Sequence, residues 1–165
     1  MIKEIVMTGM AAALLISCTG NRSGKGGDSR SSVGALPAIE TMSGDLFLLA
    51  GTYTSEEGSK GIYLYRFNTD TGNSDSVGMA EVDNPSYLTL SPDERFFYAV
   101  SESDESHSAV HAFSLDKRTG RMDLLNSRPV NSSSPCYITI DRKGRNVHTA
   151  NYGGGNITSF QVKED

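Results

Sequence analysis

The chain is 165 residues long and carries a net charge of −5, from 15 basic and 20 acidic side chains. That balance excludes nucleic acid as a partner, because phosphate neutralisation needs clustered Lys and Arg. Cys18 and Cys136 make neither a disulfide framework nor a zinc spacing.

The first element is not part of a folded domain by its composition. After Met1-Ile2-Lys3, the segment Ile5–Ile16 is an apolar run rich in Met, Ala and Leu. It falls short of the roughly 20 residues a membrane-spanning helix needs, and it reads as the h-region of a signal peptide. It runs into Leu15-Ile16-Ser17-Cys18, which resembles the bacterial lipobox, in which the Cys becomes the lipidated N-terminus after cleavage. Residues 1–18 are therefore expected to be a lipoprotein signal peptide with Cys18 as the lipidation site. This puts the protein at the bacterial cell envelope, on the periplasmic or outer-membrane side. Residues 19–44 are Gly- and Ser-rich with no hydrophobic period, and read as a disordered tether that cannot bury enough apolar area to offset its chain entropy. Gly24-Lys25-Gly26-Gly27 lacks the spacing and flanking elements of a phosphate loop.

From Asp45 onward the texture becomes that of short strands separated by turn residues. Pro85-Ser86-Tyr87-Leu88-Thr89-Leu90 matches Pro135-Cys136-Tyr137-Ile138-Thr139-Ile140 without a gap, at an offset of fifty residues. A second strand recurs three times, beginning at Phe47, Phe96 and Asn146, and a third at Ile62–Phe67, Val110–Phe113 and Ile157–Phe160. Thr71-Gly72 and Thr119-Gly120 mark turns before weaker fourth strands, around Val77–Val82 and Met122–Arg128. Four antiparallel strands per unit of about fifty residues is the arithmetic of a β-propeller blade. The near-continuous apolar runs Phe47–Ala50 and Phe96–Val100 fit blades packed on both faces. The expected fold is all-β: residues 45–165 form a partial propeller of about two and a half blades, the first lacking its opening strand. Such a segment is too short to close a ring, and its open edges invite self-association.

Gly51-Thr52-Tyr53-Thr54, Gly61-Ile62-Tyr63, Asn84-Pro85-Ser86-Tyr87-Leu88, Leu90-Ser91-Pro92-Asp93 and Ala150-Asn151-Tyr152 occur in this order. Together they resemble the opening blades of the seven-bladed propeller lactonases, the bacterial 6-phosphogluconolactonase type related to carboxymuconate cyclases. The resemblance covers Leu46–Val162. It implies a seven-bladed ring, no cofactor, a small-molecule lactone substrate, and catalytic His, Arg and Glu positions in later blades, past Asp165. As this fragment, the chain is expected to be inactive. Glu94 stands where the family turn has Gly, and Tyr137 where many members have His. A lipoprotein signal shifts the expected substrate away from a cytosolic phosphorylated sugar and toward an unphosphorylated lactone. A non-catalytic envelope propeller that binds a ligand and a carboxymuconate-type cyclase are the alternatives.

Among the residues present, the equivalent strand ends Tyr53, Glu102 and Tyr152, with Asn151, are the candidate cleft-lining set. They fall at one rim, and Glu102 breaks an otherwise aromatic series. No metal site is expected. His107 and His111 lie on a turn leading into a strand, where four residues span about 13 Å, too far for one ion. His148 reads as a packed or partly exposed blade histidine, and Cys136 as a small buried hydrophobe.

Overall fold

The computed structural model describes residues 12–16 and 44–163. These form eleven strands: β1 (Ala12–Ile16), β2 (Asp45–Gly51), β3 (Gly61–Asn68), β4 (Ser74–Glu81), β5 (Leu88–Leu90), β6 (Phe96–Ser101), β7 (Ala109–Asp116), β8 (Arg121–Pro129), β9 (Pro135–Ile140), β10 (Asn146–Asn151) and β11 (Asn156–Gln161). They group as three antiparallel meanders, β1–β4, β5–β8 and β9–β11, in which each strand pairs with its chain neighbour. These are consecutive propeller blades with the fifty-residue register of the sequence.

The first sheet departs from expectation. Ala12–Ile16, assigned above to the signal peptide, pairs antiparallel with β2 from Ala12 opposite Gly51 to Ile16 opposite Phe47. The first blade therefore has the opening strand that the sequence reading left out. The physical reason is that pairing is carried by backbone groups: an apolar, extended run can satisfy the free edge of β2 whatever its own sequence role. Cys18 and the tether over residues 19–43 lie outside the described residues.

Two apolar seams join the three sheets. In the first, Phe47, Leu49, Ile62 and Leu64 of blade one meet Leu88, Phe97, Ala99, Phe113 and Leu115 of blade two. In the second, Tyr98, Val100 and Val110 of blade two meet Ile138 and Val147 of blade three, with Val130 from the connection between them. Strand β6 feeds both seams, since Phe97 and Ala99 point one way and Tyr98 and Val100 the other. Its apolar run is continuous because both faces are buried. Strands β2 and β10 instead alternate buried and half-buried residues, with one described seam each. The Phe97 and Phe113 rings stack at 4.7 Å, almost parallel, at the centre of the first seam.

Turns at one end of the sheets are built alike. In the β3–β4 turn the Asn68 side chain accepts from the N–H groups of Asp70 and Thr71, and in the β7–β8 turn Asp116 accepts from Arg118 N–H and the Thr119 hydroxyl. Both turns close on a left-handed glycine, Gly72 at φ 74° and Gly120 at φ 77°. In the β5–β6 turn Glu94, a non-glycine residue, adopts φ 57°, against 69° for Gly144 in the equivalent β9–β10 turn.

Candidate functional site

In each meander the β2–β3, β6–β7 and β10–β11 connections emerge at the end opposite these turns, together with the links from one blade to the next. At this end Tyr53, just past β2, reaches from blade one to blade two. Its hydroxyl donates to Glu102 Oε2 at 2.9 Å, and the Ser86 hydroxyl donates to the same oxygen at 2.5 Å. Glu102 follows β6 and Ser86 precedes β5, so one carboxylate ties the end of β6 to the start of β5 and to the neighbouring blade.

Asn84 sets this geometry. Its backbone sits in the left-handed region at φ 44°, which an Asn tolerates better than most side chains. From there its side-chain oxygen accepts from Thr54 N–H at 2.9 Å and from the Thr54 hydroxyl at 3.2 Å. Its carbonyl accepts from Glu102 N–H at 3.0 Å. One residue thus fixes the chain on either side of the bridge. Ser134 repeats the device fifty residues on: at φ 52° it donates its N–H to Ser103 and accepts from Tyr152 N–H at 2.8 Å. Burial raises the pKa of Tyr53 above the usual phenol value, and the bond to Glu102 and that carboxylate's charge push it further the same way.

The rings of Tyr87, just before β5, and Tyr137, on β9, meet at 4.8 Å, tilted by 54°. Tyr137 stays 44% exposed. Blades two and three thereby share an aromatic pair at the second seam.

Of the four expected cleft residues, Tyr53 and Glu102 are brought together. Tyr152 projects into solvent at 85% exposure, with only its backbone held. Asn151 is buried, and its amide is consumed within blade three. It donates to Asn156 Oδ1 at 2.7 Å and to Thr158 Oγ1 at 3.0 Å, and accepts from the Thr149 hydroxyl at 2.9 Å. It holds β10 to β11 at the bulge where the pairing of β10 with β9 shifts register. Cys136, expected to be buried, is exposed, because it opens β9 at the rim beside that bulge. Ser86 was missed; the signal for it was its equivalence to Cys136 at the start of an innermost strand.

The three histidines are separate. His107 Nδ1 lies 2.7 Å from Asp104 on the surface, and His148 Nδ1 lies 2.8 Å from the Ser159 hydroxyl. His111 is held between two hydroxyls, Ser101 at Nε2 (2.8 Å) and Ser127 at Nδ1 (2.7 Å); burial lowers its pKa, and the Asp83 charge opposes that shift. It lines a cleft of about 750 Å³ at the outer side of the first seam, with Glu56, Glu81, Asp83 and His107. Among the described residues no three His, Cys, Asp or Glu side chains converge as a metal centre requires.

Residues 47–165 match the family model described as a seven-bladed β-propeller lactonase. A 6-phosphogluconolactonase of Formosa agariphila is 31% identical over 121 residues, covering 71% of this chain and 34% of that protein. One of Bacillus subtilis is 33% identical over 116 residues, covering 70% and 33%. Among solved structures, a Bacteroides fragilis protein provisionally described as a 6-phosphogluconolactonase superposes with a TM-score of 0.70 at 47% identity, over 75% of this chain and 34% of that one. The periplasmic gluconolactonase of Pseudomonas aeruginosa gives a TM-score of 0.66 at 30% identity, over 71% and 34%. The chain spans about a third of the length of these relatives.

Proposed function

Because the chain belongs to the seven-bladed β-propeller lactonase family, whose model it matches over residues 47–165, we propose that this protein hydrolyses a sugar lactone held at the mouth formed by Tyr53, Ser86 and Glu102. The reading is carried by the convergence of Tyr53 and Ser86, from adjacent blades, on one carboxylate beside the innermost strands. Water adds to the lactone carbonyl and the ring C–O bond breaks, leaving the open-chain acid. The reaction needs a base for the water and donors for the developing oxyanion. The described residues supply a fixed carboxylate and two hydroxyls, and among them no imidazole or guanidinium is hydrogen-bonded to this cluster. Residues 19–165 alone are therefore expected to turn over lactone negligibly, with catalysis requiring groups from further blades.

Two substrate names occur among the relatives, 6-phosphogluconolactone and gluconolactone. Lipidation at Cys18 would tether the protein at the bacterial envelope, where the unphosphorylated lactone is the available one. Exposed sheet faces such as that of Ile157, 74% exposed, favour self-association of the three blades. The deciding experiment is a pH-stat assay of the full-length gene product on glucono-δ-lactone and its 6-phosphate. Acid release above the spontaneous rate supports the reading, and none on either lactone sinks it.

A further inference from the structure

Resting on the lactone reading above, we infer that Glu102 sets substrate choice at this mouth. Its unpartnered oxygen accepts hydroxyl protons from a neutral polyol lactone, and its fixed charge disfavours a substrate phosphorylated at the end lying against it. Both hydroxyl donors that hold the carboxylate, Tyr53 and Ser86, bond to Oε2. Among the described residues Oε1 has no hydrogen-bond partner, although the group is anchored from two blades. A carboxylate held by one oxygen and open at the other is a positioned acceptor, and a sugar's hydroxyls are donors of matching number and reach.

The distribution of charge points the same way. The end of the fold that carries the mouth also holds Glu56, Glu81, Asp83 and Asp104. Its cations among the described residues are Lys60 and Arg128. The Lys60 ammonium is taken up by the carbonyls of Ser55 and Glu56. Arg128 sits on β8, the outermost strand of its sheet, three strands from the channel side. Arg95, Lys117, Arg142, Lys143 and Arg145 all occupy turns at the opposite end. A phosphate dianion approaching Glu102 would meet like charge, and among the described residues no cation is bonded to that carboxylate.

The test uses the full-length gene product, as wild type and as Glu102→Gln, with initial rates on glucono-δ-lactone and its 6-phosphate and a melting curve for each protein. Wild type should favour the unphosphorylated lactone. Glu102→Gln should lower that preference about ten- to hundredfold, the range expected for losing a hydrogen bond to a charged group. The loss should fall more heavily on KM for the neutral lactone than on KM for the phosphorylated one. A wild-type preference for the phosphorylated lactone, or an equal effect of the substitution on both, overturns the role of Glu102. Should the variant fail to fold, Tyr53→Phe removes one anchor of the same oxygen and should shift the preference in the same direction by less; no shift overturns the inference. Absence of activity on both lactones is a different failure, visible in wild type before any variant is made, and it removes the lactonase reading itself.

Discussion

Gly72 and Gly120 occupy the same place in the turns of blades one and two, with nearly the same backbone, φ 74° and 77°. They differ in their surroundings. A Cβ at Gly72 would meet nothing within 4 Å, whereas one at Gly120 would lie 2.4 Å from Val77 Cγ1, 3.2 Å from Leu64 Cδ2 and 3.4 Å from Phe47 Cε1, all in the neighbouring blade. Gly72→Ala should therefore cost only the left-handed strain of an L residue, about 1 kcal/mol. Gly120→Ala carries that cost plus overpacking against a stiff β-branched side chain in a closed seam, about 1–3 kcal/mol more. At roughly 4 °C per kcal/mol for a domain of this size, the two melting temperatures should differ by roughly 4–12 °C. Urea and thermal melts of the two variants, followed by far-ultraviolet circular dichroism, measure the gap directly. Equal destabilisation would refute the packing of the blade-two turn onto blade one, and with it the seam that aligns Tyr53 with Glu102.

Three further outcomes are expected. Burial pushes the Asp93 carboxyl up, but the Ser91 hydroxyl and the Arg95 guanidinium and N–H outweigh it and hold the pKa at about 2, below the usual 3.8. Since the folded value is depressed, the stability Asp93 contributes is present above pH 3.8 and disappears as pH falls toward 2, so Asp93→Asn should flatten the acid limb of the stability curve in that window. Tyr53 behaves in the opposite sense: its raised pKa stabilises the fold below pH 10.0 and is lost as pH rises through the folded value. Glu102→Gln should lower the Tyr53 pKa, as read from tyrosine ring carbon shifts in a nuclear magnetic resonance titration; an unmoved pKa would deny the Glu102 contact. For the anchor, a radiolabelled fatty acid fed to expressing bacteria should enter the wild-type chain and not Cys18→Ser, and equal labelling of both would place the lipid elsewhere or nowhere.

Much of the fold could be read before any coordinates. The fifty-residue offset, the strand triplets and the Thr-Gly turns are local signals that depend on backbone preference and on one repeated packing solution, so they survive in sequence. The site was legible only in part. Tyr53 and Glu102 could be placed at one end of the sheets because equivalent strand ends share a rim. That Ser86 joins Tyr53 on Glu102, and that Asn151 is buried within blade three, could not be read there, because hydrogen-bond partners come from chain positions distant in sequence or from a local bulge. Tyr53 and Glu102 are 49 residues apart when they bond. Cys136 was misplaced for the same kind of reason: Pro135 and Ile138 of its strand are buried, but Cys136 and Tyr137 between them, beside the bulge at Asn151, are exposed.

The sequence by itself determined the blade unit, its strand order and the family resemblance, because alternation, turn chemistry and self-similarity are written along the chain. Tertiary structure alone decided which strand edge Ala12–Ile16 occupies and which faces close into seams. It alone brought Tyr53 and Ser86 to one oxygen of Glu102, leaving the other oxygen without a described partner. Those outcomes depend on distances between blades, and a blade's position is fixed only when its apolar faces meet those of its neighbours.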